Sequence, residues 1–340
     1  MSTRYAAPTI PGTTIKKVLN FLKQTKATRP VSFEALTLVC VQDGYWYTTN
    51  THLQARVCAP IDIPNGLYNL FDALPVLGSS PAVVTEEPNG IIINGLVIPR
   101  KGNPDRFPSM PVDLETSNDY GPVPALWNTV TKFTAEDEVR IGLNGVLLSP
   151  TGRLVATNGS RLITVAWNAL WDLPRPIISF VYTPKTPATL SIDFQHNFLH
   201  FIQAEGIITT RSLDEHYPEY DRVIPDPQEA HWQGYCDGKT IREWATPIVK
   251  LAPRKGTMCL NLKTGEAKNP MIRVTPFDEL MEKSSPAESE SLLMDPRLFN
   301  FLSKDTDPLK LTWTTYGTQA PMMAHNADVT ILILPLRPPV

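Results

Sequence analysis

Ile15-Lys16-Lys17-Val18-Leu19-Asn20-Phe21-Leu22 sets Ile15, Val18, Leu19 and Leu22 at i, i+3, i+4 and i+7, the spacing that gathers apolar side chains on one helical face. The same template returns twice. Leu126, Thr129, Val130 and Phe133 fit it with one polar substitution, and Ile241, Trp244, Ala245 and Ile248 fit it again. The starts lie 111 and 115 residues apart, so the repeating unit is a whole domain rather than a short solenoid element. A chain of 340 residues accommodates three such units, each long enough to bury its own core. The expected division is 1–121, 122–226 and 227–340.

Between the helices the signals are those of short strands and turns, in keeping with 33 prolines and 18 glycines. In the first unit Phe33 to Val41 reads as a strand, Asp43-Gly44 as a turn and Tyr45 to Thr49 as the returning strand. Arg56 to Ala59 continues the pattern. Gly66 to Leu74 fits a short second helix, and Ile91 to Ile93 and Leu96 to Ile98 are strands around Asn94-Gly95. The second unit repeats the order with strands at Leu143 to Leu148, Leu154 to Thr157, Leu162 to Trp167, Thr189 to Ile192, Phe198 to Ile202 and Ile207 to Thr210. Prolines between Trp171 and Leu190 leave it no second helix. Phe107-Pro108 and Tyr217-Pro218 close the first two units alike, 110 residues apart. The third unit offers strands at Met258 to Leu262, Ile272 to Val274, Leu309 to Trp313 and Val329 to Leu334, and a helix near Pro296 to Leu302. Glu279 to Glu290, acidic and Ser-rich, reads as an exposed loop. Each unit is therefore α+β, with helices against antiparallel strands.

An apolar fraction of 42% and a charged fraction of 19% belong to an ordinary globular chain. No apolar run approaches the roughly 20 residues of a membrane span, and Met1 to Thr14 lacks the apolar core of a signal peptide, so a loose leader in a cytoplasmic protein is expected. The widely spaced Cys40, Cys58, Cys236 and Cys259 form no Cys-x-x-Cys pair and read as reduced, with Cys40 and Cys58 in apolar strands. The sequence contains no Gly-rich phosphate loop, His-Glu-x-x-His or Gly-x-Ser-x-Gly. His196 and His200, four apart, suit a metal pair or, in an extended run, surface strand positions. Asp214, Glu215 and Glu219 beside His216 read as solvated charges at a turn. A hydrolase built on these histidines and carboxylates is the enzymatic alternative; the leading expectation is no catalysis, no metal and no cofactor.

The polar faces of the repeated helices say more. The first carries Lys16, Lys17 and Lys23, followed by Lys26 and Arg29; the second carries Lys132; the third carries Lys239, Arg242 and Lys250, followed by Arg254 and Lys255. One such face alone is ordinarily just solvated. Repeated in a chain of net charge −3, the faces would line a basic channel if the modules curve inward, suited to phosphates and indifferent to base sequence.

Leu154-Val155-Ala156-Thr157-Asn158-Gly159-Ser160-Arg161-Leu162 resembles the Val-Ala-Thr-Asp-Gly-His-Arg-Leu signature of the bacterial sliding clamp, the beta subunit of the replicative DNA polymerase. Leu143-Asn144-Gly145-Val146-Leu147 is similar to that family's Leu-Asn-Gly-x-Leu strand. Tyr217 to Pro225 is similar to its Phe-Pro-Asp-Tyr-x-Arg-Val-Leu-Pro element, and Ile331 to Arg337 to its Val-Met-Pro-Met-Arg ending. The resemblance runs from about Thr14 onward and is weakest in the first unit.

It implies three topologically similar clamp domains per chain, helices lining the inside and antiparallel sheets outside. It also implies a head-to-tail homodimer closed around duplex DNA, with no catalytic centre. DNA polymerase and clamp loader would dock through short peptides. Carried over by position, the peptide pocket would comprise Leu143, Thr157, Gly159, Arg161, Leu162, Pro218, Arg222, Val223, Leu332, Leu334, Pro335, Leu336 and Arg337. Arg29 matches a DNA-contacting loop position. Asn158 and Ser160 replace the family's Asp and His, Pro338-Pro339-Val340 runs past its usual end, and Glu136-Asp137-Glu138 is acidic near the expected DNA path. These departures motivate a second reading: a clamp-fold regulator or decoy that binds clamp partners without encircling DNA.

Overall fold

Each of the three amphipathic segments is helical in the computed structural model, which describes residues 10–27, 33–251, 258–261, 267–268, 273–274, 279–282, 291–316 and 320–335. Helix α1 (Gly12–Leu22) buries Ile15, Leu19 and Leu22 and leaves Lys16 and Lys17 exposed. Its first turn takes up Gly12 to Thr14, which the sequence assigned to a leader. Helix α2 (Trp127–Val130) is one turn long and tightens into a 3-10 turn at Thr131–Phe133. Thr131 Oγ1 donates to Asn128 O at 3.0 Å and Thr134 Oγ1 to Thr131 O at 2.8 Å, local bonds that compete with helix propagation. Trp127, Thr129, Val130 and Phe133 are nevertheless buried. Helix α3 (Gly238–Leu251) begins where Asp237 Oδ1 accepts the Thr240 N–H at 2.6 Å, an N-cap. Gly238 sits so close to Thr306 that a Cβ would fall 1.8 Å from its carbonyl oxygen, which no other residue tolerates.

After each helix the chain follows one path. Four strands pair in the order fourth–first–second–third: at 39–42, 45–49, 53–58 and 66–68, at 145–149, 153–157, 161–166 and 177–180, and at 258–261, 267–268, 273–274 and 291–294. A three-strand meander then closes each segment, at 84–102, 189–213 and 310–333. The repeat read from three helices is thus a repeat of topology.

Contacts divide the chain into two compact units, Met1–Val123 with Pro184–Ser212 and Pro124–Thr183 with Leu213–Val340. Residues 122–226 are shared between them, and strand pairing gives the reason. In the first unit the meander strand Gly206–Leu213 pairs with Leu53–Cys58, the third strand of the first set. In the second, Val329–Ile333 pairs with Arg161–Ala166, the third strand of the second set. No helix among the described residues is long and apolar enough to cross a membrane.

Several local expectations change. Gly66 to Leu74 is a strand (Gly66–Tyr68) and a 3-10 turn (Leu70–Ala73), because Leu67 and Tyr68 pair with Cys40 and Val39 instead of coiling. Phe33 to Val41 is a 3-10 turn (Glu34–Thr37) before the strand Val39–Gln42. Pro296–Phe299 is also only a 3-10 turn. Glu279–Glu282 is not loop: it is a strand on Trp232–Tyr235, and the rest of that acidic stretch lies outside the described residues. Cys40 and Cys236 are buried reduced cysteines, whereas Cys58 is exposed at its strand end. Burial and nearby Asp105 and Asp43 push the Cys40 thiol up to about 12.

Candidate functional site

The motif at 154–162 folds into two paired strands, Arg153–Thr157 and Arg161–Ala166, around a turn held by its own side chains. Thr157 Oγ1 donates to Arg161 O at 2.8 Å and accepts the Gly159 N–H at 3.1 Å. Asn158 Oδ1 accepts the N–H groups of Ser160 and Arg161 at 3.0 and 3.1 Å. Asparagine thus serves as an acceptor where the resembling family has aspartate, and removes a charge. Gly159 adopts φ +85°, and a Cβ there would lie 3.2 Å from Arg140 Nη1.

Strand Val329–Ile333 packs alongside, with Leu332 opposite Leu162, and the Leu334 N–H donates to Ser160 O at 2.9 Å. Two 3-10 turns, Ile141–Asn144 and Tyr220–Val223, face the same space. The result is a cleft of about 710 Å³ lined by Leu143, Thr157, Gly159, Arg161, Leu162, Pro218, Val223, Leu332 and Leu334 from the expected set. Val139, Arg140, Ile141, Gly142, Ser160, Glu215, His216, Glu219, Tyr220 and Pro321 line it too; sequence reasoning missed them, although Val139 to Leu143 is an apolar-rich run directly ahead of the motif strand. Arg222 is not part of the lining: it is exposed and ion-paired with Glu219. Pro335 is half-buried beyond the lining, and Leu336 and Arg337 lie outside the described residues.

Beneath the cleft Leu143, Leu147, Val155, Leu162, Ile178, Tyr217, Tyr220, Met323 and Leu332 form one buried cluster. Burial pushes the Tyr217 phenol well above its ordinary range. Arg161 is the polar exception. It is 8% exposed, and its terminal nitrogens donate to Leu298 O at 3.0 Å, Asn300 Oδ1 and Lys132 O. Its guanidinium carbon lies 4.9 Å from the Phe133 ring centre. Burial pushes it down to about 10, which leaves it charged at neutral pH. An apolar floor with a few fixed polar groups suits the apolar anchors of a peptide.

The helix cations fare unequally. Lys16, Lys17 and Lys23 are exposed and take part in no ion pair among the described residues. Lys26 lies over the Phe71 ring at 4.5 Å. Lys132 Nζ donates to Phe301 O at 3.3 Å, Lys239 lies 3.9 Å from Glu243, and Arg242 forms a two-pronged pair with Asp307 at 2.6 and 2.8 Å. The expected DNA-facing cation Arg242 is thus already engaged by a carboxylate of its own chain. Lys250 belongs to α3, but its side chain is outside the description, as are Arg29, Arg254 and Lys255 entirely.

The two histidines have separate partners. His196 Nδ1 lies 2.7 Å from Asp193 Oδ2, and fully buried His200 shares a hydrogen bond of 2.9 Å between Nδ1 and Thr209 Oγ1. Burial drives His200 down from 6.5 to about 4, against the pull of Asp193 and Asp113 and with that of Arg56. Since the unfolded chain takes up this proton first, stability is full above pH 6.5 and declines as pH falls toward 4, by up to about 3 kcal/mol. Urea melts across that window should show the decline, and His200→Gln should remove its share. A His200 imidazole NMR signal that titrates near 6.5 in the folded protein overturns this.

Neither a family model nor a curated protein matches this sequence. Solved structures do, over nearly the whole chain: the chain has the sliding-clamp fold of DNA polymerase III beta subunits, with a divergent sequence. The DNA polymerase sliding clamp of Bacillus subtilis is similar with a TM-score of 0.75 at 15% identity, covering 97% of this chain and 99% of that one. The DNA polymerase III subunit beta of Pseudomonas aeruginosa gives 0.73 at 17% identity with the same coverage. The Helicobacter pylori beta clamp, solved bound to a DNA ligase peptide, gives 0.71 at 14% identity, again over 97% and 99%.

Proposed function

We propose that this protein is a non-catalytic DNA sliding clamp, built of domains 1–121, 122–226 and 227–340, that closes as a head-to-tail homodimer around duplex DNA in the cytoplasm. It would tether the replicative polymerase, and receive the clamp loader, through short peptides seated in the cleft. The observation that carries this reading is a clamp fold spanning 97% of the chain together with an open apolar cleft. Strand pairing supports closure. A last meander strand joins the third strand of the preceding set twice, at 206–213 on 53–58 and at 329–333 on 161–166. Among the described residues, the meander strand Leu96–Gly102 has no such acceptor and the third strand Arg273–Val274 no such donor. Pairing Leu96–Gly102 of one copy with Arg273–Val274 of a second closes a head-to-tail ring. A ring retains DNA by topology, so weak phosphate contacts suffice and the tethered polymerase gains a high effective concentration.

Light scattering should give twice the 37.9 kDa chain mass, and loaded protein should stay on circular DNA and leave once it is cut. A stable monomer that is not retained overturns the proposal. Lys16→Glu with Lys23→Glu should weaken loading, more so at low salt. The decoy reading draws on acidic Glu136 to Glu138, on the Arg242–Asp307 pair and on the bond from Lys132 to Phe301 O, which leave few free cations on these segments among the described side chains. It predicts that adding the protein lowers the processivity of a polymerase running on its own clamp, whereas a working clamp raises processivity.

A further inference from the structure

We propose that the cleft selects peptides whose apolar anchors are flanked by basic residues, and that Glu215 reads them together with Glu136, Glu138 and Asp214. This rests on the peptide-docking reading of the cleft and adds the chemistry of the partner. One cation, Arg140, lines the cleft and a second, Arg222, precedes the lining residue Val223 in sequence; both are neutralised from within the chain. Arg140 donates from Nε to Asp137 Oδ2 at 2.8 Å, with Nη2 at 2.7 Å from the same oxygen. Arg222 pairs with Glu219. Arg161 belongs to the floor, its terminal N–H groups already given to Leu298, Asn300 and Lys132.

The acids are not balanced in this way. Glu136, Glu138, Asp214 and Glu215 are all exposed, and none takes part in an ion pair among the described residues. Glu215 lines the cleft and Asp214 precedes it. Glu136 and Glu138 flank the start of the loop that brings Val139, 90% exposed, to the same mouth. That loop is braced. The Asp137 N–H donates to Asn144 Oδ1 and Asn144 Nδ2 returns to Asp137 O, both at 2.8 Å, while Asp137 Oδ1 accepts the N–H groups of Val139 and Arg140, also at 2.8 Å. Negative charge is therefore held on a fixed frame beside exposed apolar surface from Val139, Ile141, Val223 and Leu334. An apolar patch rimmed by one sign of charge favours a partner with apolar anchors and the opposite sign.

The test is fluorescence anisotropy with the full chain and two labelled peptides. They share one core bearing leucine and phenylalanine, flanked by lysines in one and by glutamates in the other. At about 0.05 M salt the lysine-flanked peptide should bind about tenfold tighter, and the gap should close toward about 0.5 M. Glu215→Lys, combined with Glu136→Lys and Glu138→Lys, should abolish or invert the preference; these positions are exposed, so the fold should hold. Equal affinity of the two peptides at low salt, or a preference that survives the reversals, overturns the rim assignment and leaves the cleft intact. Binding of neither peptide at either salt overturns both readings.

Discussion

Replacing Arg161 with leucine is expected to destabilise the protein by about 3 kcal/mol and to loosen the cleft floor with it. The side chain is buried, and its terminal nitrogens serve three acceptors at once: Leu298 O, Asn300 Oδ1 and Lys132 O. Leucine fills part of the volume but leaves the backbone carbonyls of Leu298 and Lys132 without that donor, while the exposed Asn300 side chain can turn to water. Each orphaned acceptor costs on the order of 1–3 kcal/mol before relaxation, and the stacking on Phe133 is lost as well. Arg161→Lys separates charge from geometry. An ammonium keeps the positive charge but cannot reproduce the guanidinium fork, so it should fall between the native protein and Arg161→Leu. Urea denaturation at neutral pH reads the differences directly. A change below about 0.5 kcal/mol for Arg161→Leu would mean that these bonds contribute little to the fold.

The sequence carried the fold further than it carried the site. Periodicity at Ile15, Val18, Leu19 and Leu22 identified a helix because tertiary packing agrees with local preference there. Gly66 to Leu74 was misread because its apolar residues suit both periods, and pairing of Tyr68 with Val39, far away in sequence, decides the outcome. Glu279–Glu282 failed for a similar reason. Its composition speaks for solvent, but its backbone completes a ladder with Trp232–Tyr235. In the cleft, Leu162, Leu332 and Leu334 were expected from the family resemblance, position by position, and Leu162 and Leu332 lie opposite each other on paired strands. Val139, Arg140 and Ile141 were not, since a 3-10 turn and the carboxylate of Asp137 aim them at the cleft. Asp137 is pulled down to about 2 by the Arg140 backbone N–H, the Arg140 side chain and the Val139 N–H, so it stays an acceptor through the whole neutral range. Arg242 is the plainest case. Helical spacing placed it on a basic face, while its partner Asp307 lies 65 residues downstream, beyond the reach of any local pattern.

Leu334→Asp should abolish peptide binding, by at least a hundredfold, while leaving the fold and the mass of the assembly unchanged. The position tolerates the change because Leu334 is already 43% exposed and its structural bond, from its N–H to Ser160 O, belongs to the backbone. In the empty cleft the new carboxylate remains hydrated. A docked apolar anchor would strip that water without offering a partner, and burying an unpaired charge costs several kcal/mol. A hundredfold loss corresponds to about 2.7 kcal/mol, well inside that penalty. Neighbouring Glu215, which lines the cleft, adds like charge and offers no relief. Leu334→Ala removes contact area without adding charge, so its loss should be nearer tenfold. The two substitutions together distinguish desolvation from shape. If the aspartate variant binds a labelled clamp-partner peptide as well as the native chain does, with light scattering and melting unchanged, the peptide does not sit against Leu334 and the docking site lies elsewhere.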